Sequence, residues 1–568
     1  MHVAKIERRH GEWVYTYWLV RRSVREGRRV RHETVANVSR LPAAALEALR
    51  RALAGEALVA AGEVFATERS LPHGHVQAVL GMASRLGLAR LLDRAPSRER
   101  SLAVAMIVQR VLAPGSKLAC TRQLSQSTLA EQLGVGKVDA DDLYAALDWL
   151  GERQDAIERR LARRHLKEGG HVLYDVSSSY FEGRTCPLLA LGYSRDGRRG
   201  TLQIIYGLLC DHEGRPVAIE LFPGGVHDDK TLPAQIEKLR RRFGLQTLVL
   251  VIDRGMVTKA NLDALAGEHG VGWITALKAP QVKRLVREGS LQLSLFDQQN
   301  LAEITSAAYP GERLVVCRNP LVAAERKRKR DDLLHATEAA LAPIKQRVEA
   351  GTLTGAAAIA LAVGQVIGKR KVKKHFQLEI EDNRFAYHRK QAQIDEEAAL
   401  DGFYVLRTNL TEQTLDSADV VRSYKQLAHA ERAFRTLKSP ELEIRPIRHR
   451  REHRVRAHAF LCLLAYYLEW HLKAAWAPLL YTDEQPPLAA DPVAKAERSP
   501  AAKRKASTHT TSDGDTCHSF PSLLDELALI VQNTNRVRES QATFHTITDP
   551  NHTQARALQL LHRIPKHA

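Results

Sequence analysis

The stretch His171-Val-Leu-Tyr-Asp-Val-Ser177 sets apolar and β-branched side chains around a single carboxylate, the composition of a strand. Two similar runs follow, Gln203 to Cys210 and Val217 to Phe222. The turn-forming stretches Arg195-Asp-Gly-Arg-Arg-Gly200 and Asp211-His-Glu-Gly214 separate the three, so an antiparallel meander is expected. Beyond it, Thr231 to Phe243 reads as a helix, Thr247 to Ile252 as an uninterrupted apolar strand, Thr258 to His269 as a helix and Gly272 to Leu277 as a strand. A meander followed by β-α-β gives a mixed α/β sheet with helices on its faces.

Toward the C-terminus, Glu325-Arg-Lys-Arg-Lys-Arg330 opens a long charged helical stretch to about Val348. After it, His375 to Ile380, Arg384 to His388 and Phe403 to Arg407 read as short strands, so residues of roughly 280 to 410 form an insertion in the sheet domain. Helices are expected over Ala418 to Lys438 and Val455 to Ala475, the second with Phe460, Leu461, Leu464 and Leu468 suited to burial. A segment rich in Pro, Ser, Thr, Lys and Asp between 484 and 519 reads as a linker before a last helix, Ser522 to Gln532. Toward the N-terminus, Trp13 to Val20 and Val30 to Val38 flank Glu26-Gly27 as a hairpin, with Arg21, Arg22, Arg25, Arg28, Arg29 and Arg31 around its turn. From His73 to Leu166 the period is helical, with Val104, Ile107, Val108 and Val111 on one stripe. Leu129 to Val135 followed by Asp141 to Leu150, with Gly134 at the turn, has the pattern of a helix-turn-helix.

The chain has 568 residues, with 84 Lys+Arg against 65 Asp+Glu, a formal charge of +19. An excess of that size suits a polyanionic partner, because each neutralised phosphate releases counterions. Mean hydropathy is −0.30. Met1 to His10 has no apolar core of a signal peptide. Ala459 to Leu468 is too short to span a bilayer, and Gly351 to Gly368 is diluted by Gly, Thr and Gln, so no membrane association is expected. Cys120, Cys186, Cys210, Cys317, Cys462 and Cys517 contain no C-x-x-C pair, which argues against a disulfide framework or Cys-rich zinc site and for the cytoplasm.

Two carboxylates end apolar strands: Asp175, and Asp253 after Leu248-Val-Leu-Val-Ile252. Each alone reads equally as a helix or turn cap, but two on separate strands of one sheet point to a shared divalent cation. If Ala418 to Lys438 is one helix, Tyr424, Glu431 and Lys438, spaced by seven, lie within about 20° of one face. Asp and Glu oxygens suit Mg²⁺ or Mn²⁺, and a pair of ions serves phosphoryl transfer on a nucleic-acid backbone. Asp228 and Asp229 read as helix caps or site residues, Trp273 as core, and Arg445-Pro-Ile-Arg-His-Arg-Arg-Glu-His-Arg-Val-Arg456 as a DNA-backbone contact.

Leu173-Tyr-Asp-Val-Ser-Ser-Ser-Tyr-Phe-Glu182, Phe222-Pro-Gly-Gly-Val-His-Asp-Asp-Lys-Thr-Leu232, Val251-Ile-Asp-Arg-Gly-Met256, Asp401-Gly-Phe-Tyr-Val-Leu-Arg-Thr-Asn409 and Tyr424 to Lys438 together resemble successive motifs of DDE transposases from bacterial insertion sequences. The group resembled is the large one of insertion-sequence-four superfamily type, in which a β-rich insertion precedes the catalytic Glu. The resemblance implies an RNase H-like catalytic domain with Asp175, Asp253 and Glu431 as catalytic metal ligands for two Mg²⁺ or Mn²⁺ ions. It also implies a Tyr-x₂-Arg-x₃-Glu-x₆-Lys helix motif whose Tyr424 and Lys438 contact phosphates. Leu427 stands where that motif has Arg, leaving Lys425, Arg432 or Arg435 to substitute. Arg435, Arg448, Arg450 and Arg451 complete the expected DNA contacts.

The expected division is a basic hairpin region (1–60), a helical DNA-binding region (61–166), the catalytic domain in two parts (167–280 and 411–480), an insertion domain (281–410), a flexible linker (481–520) and a C-terminal tail (521–568). The expected activity is cleavage at an element's terminal inverted repeats and strand transfer. The partners are double-stranded DNA at transposon ends and target, a homodimer forms in the synaptic complex, and the location is the bacterial cytoplasm at the nucleoid. An RNase H-like nuclease and a non-catalytic DNA-binding descendant of a transposase are the alternatives.

Overall fold

The computed structural model describes residues 1–568 except 28, 57–63, 199, 267–268, 539–541 and 563–568. Arg28 of the basic turn, and the expected boundary at residue 60, therefore lie outside the described residues. The chain forms two units, Met1–Leu71 with Val531–Asp549, and Pro72–Ile530 with Pro550–Ala568.

In the first unit, β1 (His2–His10), β2 (Trp13–Glu26) and β3 (Arg29–Asn37) make an antiparallel sheet in the order β1-β2-β3. The expected hairpin is β2-β3. Strand β1 is additional, registered from His2 opposite Arg21 to His10 opposite Trp13, and its six titratable residues hid the strand period. The helix Ala43–Leu53 buries Leu46, and β4 (Phe65–Pro72) closes this N-terminal stretch.

The second unit begins with helices. Ser97 caps Arg98–Leu112 by accepting from the Arg100 N–H, and the expected stripe of Val104, Ile107, Val108 and Val111 is buried. The helix-turn-helix reading is corrected. Its first member is the single turn Leu129–Gln132, and its second, Ala140–Glu152, buries Leu143, Ala146, Leu147 and Leu150 against Arg98–Leu112 and Glu452–Ala475. That second helix carries Asp141, Asp142, Asp148 and Glu152 with no Lys or Arg, a charge that opposes entry into a DNA groove.

The central sheet contains β5 (His171–Tyr180), β6 (Gln203–Asp211), β7 (Pro216–Pro223), β8 (Leu248–Ile252), β9 (Val271–Ala276), β10 (Leu301–Ile304) and β11 (Arg313–Arg318). After the separate hairpin β12 (Phe376–Glu381) and β13 (Arg384–Arg389), β14 (Phe403–Thr408) returns to it. The order is β10-β11-β14-β9-β8-β5-β6-β7, with β5, β8 and β9 parallel and the other pairs antiparallel. The proposed insertion thus begins later than expected, because β10, β11 and β14 extend the sheet beyond β9. Beside these strands Val282, Leu285 and Phe296 form a small core with Leu314 and Val405, and the intervening stretch has another, where helices Pro320–Glu349 and Ala356–Ile367 pack Leu334, Leu341, Ile359 and Val363 with Phe376 and Phe385.

The expected helix Ala418 to Lys438 is two helices, Ser417–Lys425 and Leu427–Lys438. At the join the Gln426 N–H is shared between the Arg422 and Ser423 carbonyls, and the His429 N–H bonds the Gln426 carbonyl, so the backbone tightens to a 3₁₀ turn. Behind them Glu452–Ala475 is buried along most of its length. Where composition suggests a linker, residues 481–520 hold the helix Pro500–Thr508, capped by Ser499 and anchored by Lys505 Nζ to the Ala477 and Leu480 carbonyls and Glu484. Here polar anchors do what an apolar core does elsewhere. The helix expected over Ser522 to Gln532 runs Phe520–Ala528 and ends because β15 (Val531–Val537) begins, joining β16 (Thr543–Ile547) and β4 in the order β16-β15-β4 of the first unit. A last helix covers His552–Leu561. No single helix among the described residues is long and apolar enough to cross a membrane, and all six cysteines are buried free thiols.

Candidate active site

Strands β5 and β8 run parallel in register from His171 opposite Val249 to Tyr174 opposite Ile252. The next residue on each is an acid, so Asp175 and Asp253 stand level where β8 ends. Asp175 Oδ1 accepts from the Val176 N–H at 2.7 Å, and Asp253 Oδ2 accepts from the Gly255 N–H at 3.2 Å, starting the turn Arg254–Met256. Glu431 lies on Leu427–Lys438, which packs against β5, and its side chain is exposed. Burial, then the charges of Asp253 and Glu431, push the Asp175 carboxyl up to about 7 against the opposing Val176 N–H and Arg195. The three acids expected from sequence therefore share one electrostatic neighbourhood.

Tyr424 joins it from the preceding helix, despite the break at Gln426. Burial, then the charge of Asp253, with Glu431 and Asp175 adding to it, raise its phenol above the ordinary value. Lys438 donates to Ser177 Oγ at 2.8 Å and Asp196 Oδ1 at 3.1 Å. Asp196 also pairs with Arg445 and accepts from the Tyr180 N–H at 3.1 Å. Burial works against the ionised Asp196, but the Arg445 hydrogen bond and the Lys438 charge outweigh it and hold the carboxyl low. Lys438 is thus a strut between Leu427–Lys438 and the end of β5.

Sequence reasoning missed this strut and a second pair, Arg195 with Asp228. Both sit in segments read as turns or caps, with no period to mark them. Asp228 caps no helix through its side chain. Its carboxylate stands near Asp253, since a Cβ placed on Gly255 would lie 3.3 Å from Asp253 Oδ2 and 3.5 Å from Asp228 Oδ2. Asp229 contributes its carbonyl to Asn261.

The cationic residues divide by exposure. Arg454 pairs with Asp148 and Arg456 with Glu452, whereas Arg448, Arg450 and Arg451 are exposed and form no ion pair among the described residues. Arg435 and Arg432 are likewise exposed on the Glu431 helix. Leu427 is only 6% exposed and belongs to the core, which accounts for an apolar residue at that position. Lys425 is taken by the Ala494 carbonyl at 2.7 Å, leaving Arg432 and Arg435 as the open cations. Trp273 is buried core. Beside Asp253, Arg254 lines a cavity of about 610 Å³ with Lys283, Arg326, Lys329, Arg370 and Lys371, while its acids Asp401 and Glu397 are neutralised by Arg330 and Lys374.

Carboxylate oxygens are the donors a hard divalent cation takes, and at Asp175 the charges of Asp253 and Glu431 add to the larger effect of burial. Among the described residues no three His, Cys, Asp or Glu side chains are grouped closely enough to hold a metal ion, the three acids included.

The family described as Transposase DDE domain matches residues 184–468, and IS1634 family transposase, N-terminal domain, matches residues 3–67. No curated protein matches the chain. Among the solved structures that match, the cryo-EM structure of the piggyBac transposase synaptic complex with hairpin DNA aligns over 80% of this chain and 78% of that chain. The identity is 8% and the TM-score 0.34, too slight a likeness to carry an argument.

Proposed function

The chain belongs to the DDE transposases of bacterial insertion sequences, with an N-terminal domain of the IS1634 family, and we propose that it cuts both ends of its own element at terminal inverted repeats and joins them to target DNA. The observation that carries this reading is the level placement of Asp175 and Asp253 on adjacent parallel strands, with Glu431 in electrostatic reach. The sheet supports an RNase H-like catalytic domain: β7-β6-β5-β8-β9, with the first three antiparallel and the last three parallel.

Asp175, Asp253 and Glu431 would hold two Mg²⁺ or Mn²⁺ ions, which supply Lewis-acid activation and charge neutralisation at the reacting phosphate. In the first step a water oxygen bonds to phosphorus and the P–O3′ bond breaks, freeing the element's 3′-hydroxyl. In the second, that hydroxyl attacks a target phosphodiester and the target's 3′ oxygen leaves. The Lys438–Asp196–Arg445 strut fixes the Glu431 helix against β5, and the Arg195–Asp228 pair braces the turn beside Asp253. Exposed Arg432, Arg435, Arg448, Arg450 and Arg451 grip the DNA backbone, with the basic cavity beside Arg254 adding to the field. Joining two ends calls for two copies of this site, hence a homodimer on DNA.

The test is strand transfer. Pre-cut element ends bearing a 3′-hydroxyl, incubated with Mg²⁺ and a target plasmid, are expected to become joined to it. Cutting of end DNA with no joining under any divalent ion would replace the transposition reading with that of a nuclease.

A further inference from the structure

Away from the three acids, the second unit buries two cations with no carboxylate to neutralise them. Lys117 and Arg110 are each only 5% exposed. Arg110 spends its guanidinium on the Gly115 carbonyl at 2.8 Å and the Glu443 carbonyl at 3.4 Å. The Lys117 ammonium has no hydrogen bond or ion pair among the described residues, and it lines a cavity of about 60 Å³. Such a group costs stability in the folded state unless something outside the chain compensates it. Burial, then the Arg110 charge, push its pKa down to about 8.

The rest of the cavity adds one exposed cation, neutral imidazoles and a single carboxylate. Lys117 opens the eight-residue helix Lys117–Leu124, and its cap Ser116, which accepts from the Ala119 N–H at 3.1 Å, lines the cavity too, so the positive end of the helix dipole lies at the cavity wall. His449 is pushed down to about 3 by burial, then by the charges of Lys117, Arg454 and Arg110, and His458 is lowered by burial and by Arg110. His458 Nδ1 is a second buried polar atom with no partner. Glu443 is the one carboxylate in the lining, and it pairs with neither cation among the described residues. Arg448 stands exposed in the lining, in the same run as exposed Arg450 and Arg451.

We propose that this cavity is a phosphate pocket that takes one phosphodiester group of the DNA backbone, between buried Lys117 and Arg110 on one side and exposed Arg448 on the other. Its size admits one oxyanion and excludes a base. Its walls come from the helical region, at Arg110 to Lys117 and Tyr144, and from the segment that leads away from the Glu431 helix into the helix carrying His458. A bound backbone phosphate therefore clamps one to the other. The chemistry of the pocket stands by itself, and its assignment to DNA rests on the transposase reading.

Two measurements on the full-length chain test it. In thermal unfolding, inorganic phosphate at matched ionic strength is expected to raise the melting temperature of the wild type over chloride. Lys117→Met is expected to abolish that rise and, in chloride, to melt no lower than the wild type, because it removes an uncompensated charge. In duplex binding across a salt series, Lys117→Met is expected to flatten the slope of log K against log salt by about 0.9, one phosphate contact. Arg448→Ala, at an exposed position, is expected to weaken the phosphate response and serves should Lys117→Met fail to fold. A Lys117→Met protein that melts lower and keeps the phosphate response overturns the pocket. A lost phosphate response with an unchanged salt slope overturns its assignment to DNA. If the wild type binds no DNA at all, the transposase reading fails, while the phosphate arm still decides on the pocket.

Discussion

Asp175 shows how the role proposed for it costs stability. Its folded carboxyl titrates near 7, against an ordinary value of 3.8, so the folded state holds a proton that the unfolded chain gives up. The wild type is therefore least burdened below about pH 3.8, and its stability falls as pH rises toward 7. Asp175→Asn, measured without divalent ions, is expected to raise the melting temperature by about 2–4 °C at pH 8 and by much less at pH 5. Equal effects at both pH values would contradict a buried charge. Asp175 stood out in the sequence because an acid among apolar and β-branched residues violates the strand's own pattern, although it lies within β5, which runs on to Tyr180, and not at the strand end expected for it. Lys117 and Arg195 were not, because a cation in a basic chain violates nothing until its burial or its partner is seen.

At the scale of elements, the strands that carry Asp175 and Asp253 were legible from continuous apolar runs buried on both faces. Strands β10 and β11 were not, since β11 finds its place by pairing with β14, about ninety residues away, and β10 by pairing with β11. The break at Gln426 was hidden for another reason: a 3₁₀ turn leaves the helical spacing of side chains nearly intact, so periodicity runs through it. The closest fit in the sheet is between β5 and β6, where a Cβ on Gly207 would lie 2.3 Å from the Tyr174 hydroxyl and 2.7 Å from its ring. Gly207→Ala is expected to displace Tyr174, the neighbour of Asp175, and to destabilise the chain by about 1–3 kcal/mol in denaturant unfolding, with cleavage reduced as well. Unchanged stability would mean that Tyr174 is not held where it stands.

Over the whole molecule, charge and burial set the response to pH and salt. His449 and His471 are each held down to about 3, chiefly by burial, and are neutral in the fold. Their contribution is fully present above their ordinary 6.5 and is lost as pH falls from there toward 3, about 2 kcal/mol each by pH 5. In an Asp175→Asn background, which removes the opposite response of that carboxyl, the melting temperature is expected to fall by about 3 °C between pH 6.5 and 5, and a flat profile there would contradict their neutral burial. The formal charge of +19, at first a general sign of nucleic acid, is distributed with purpose. Many of the 84 Lys and Arg are spent on internal partners such as Asp148, Asp196 and Asp228, and the exposed cations without such partners include Arg432, Arg435, Arg448, Arg450 and Arg451. The central claim is that Asp175, Asp253 and Glu431 do the chemistry while this remainder holds the DNA. It is tested most directly by Mg²⁺-dependent cleavage of end DNA, measured beside DNA binding, for Asp175→Ala, Asp253→Ala and Glu431→Ala. Each substitution is predicted to abolish cleavage and leave binding within a few-fold of the wild type, and full cleavage by any one of the three would contradict the claim.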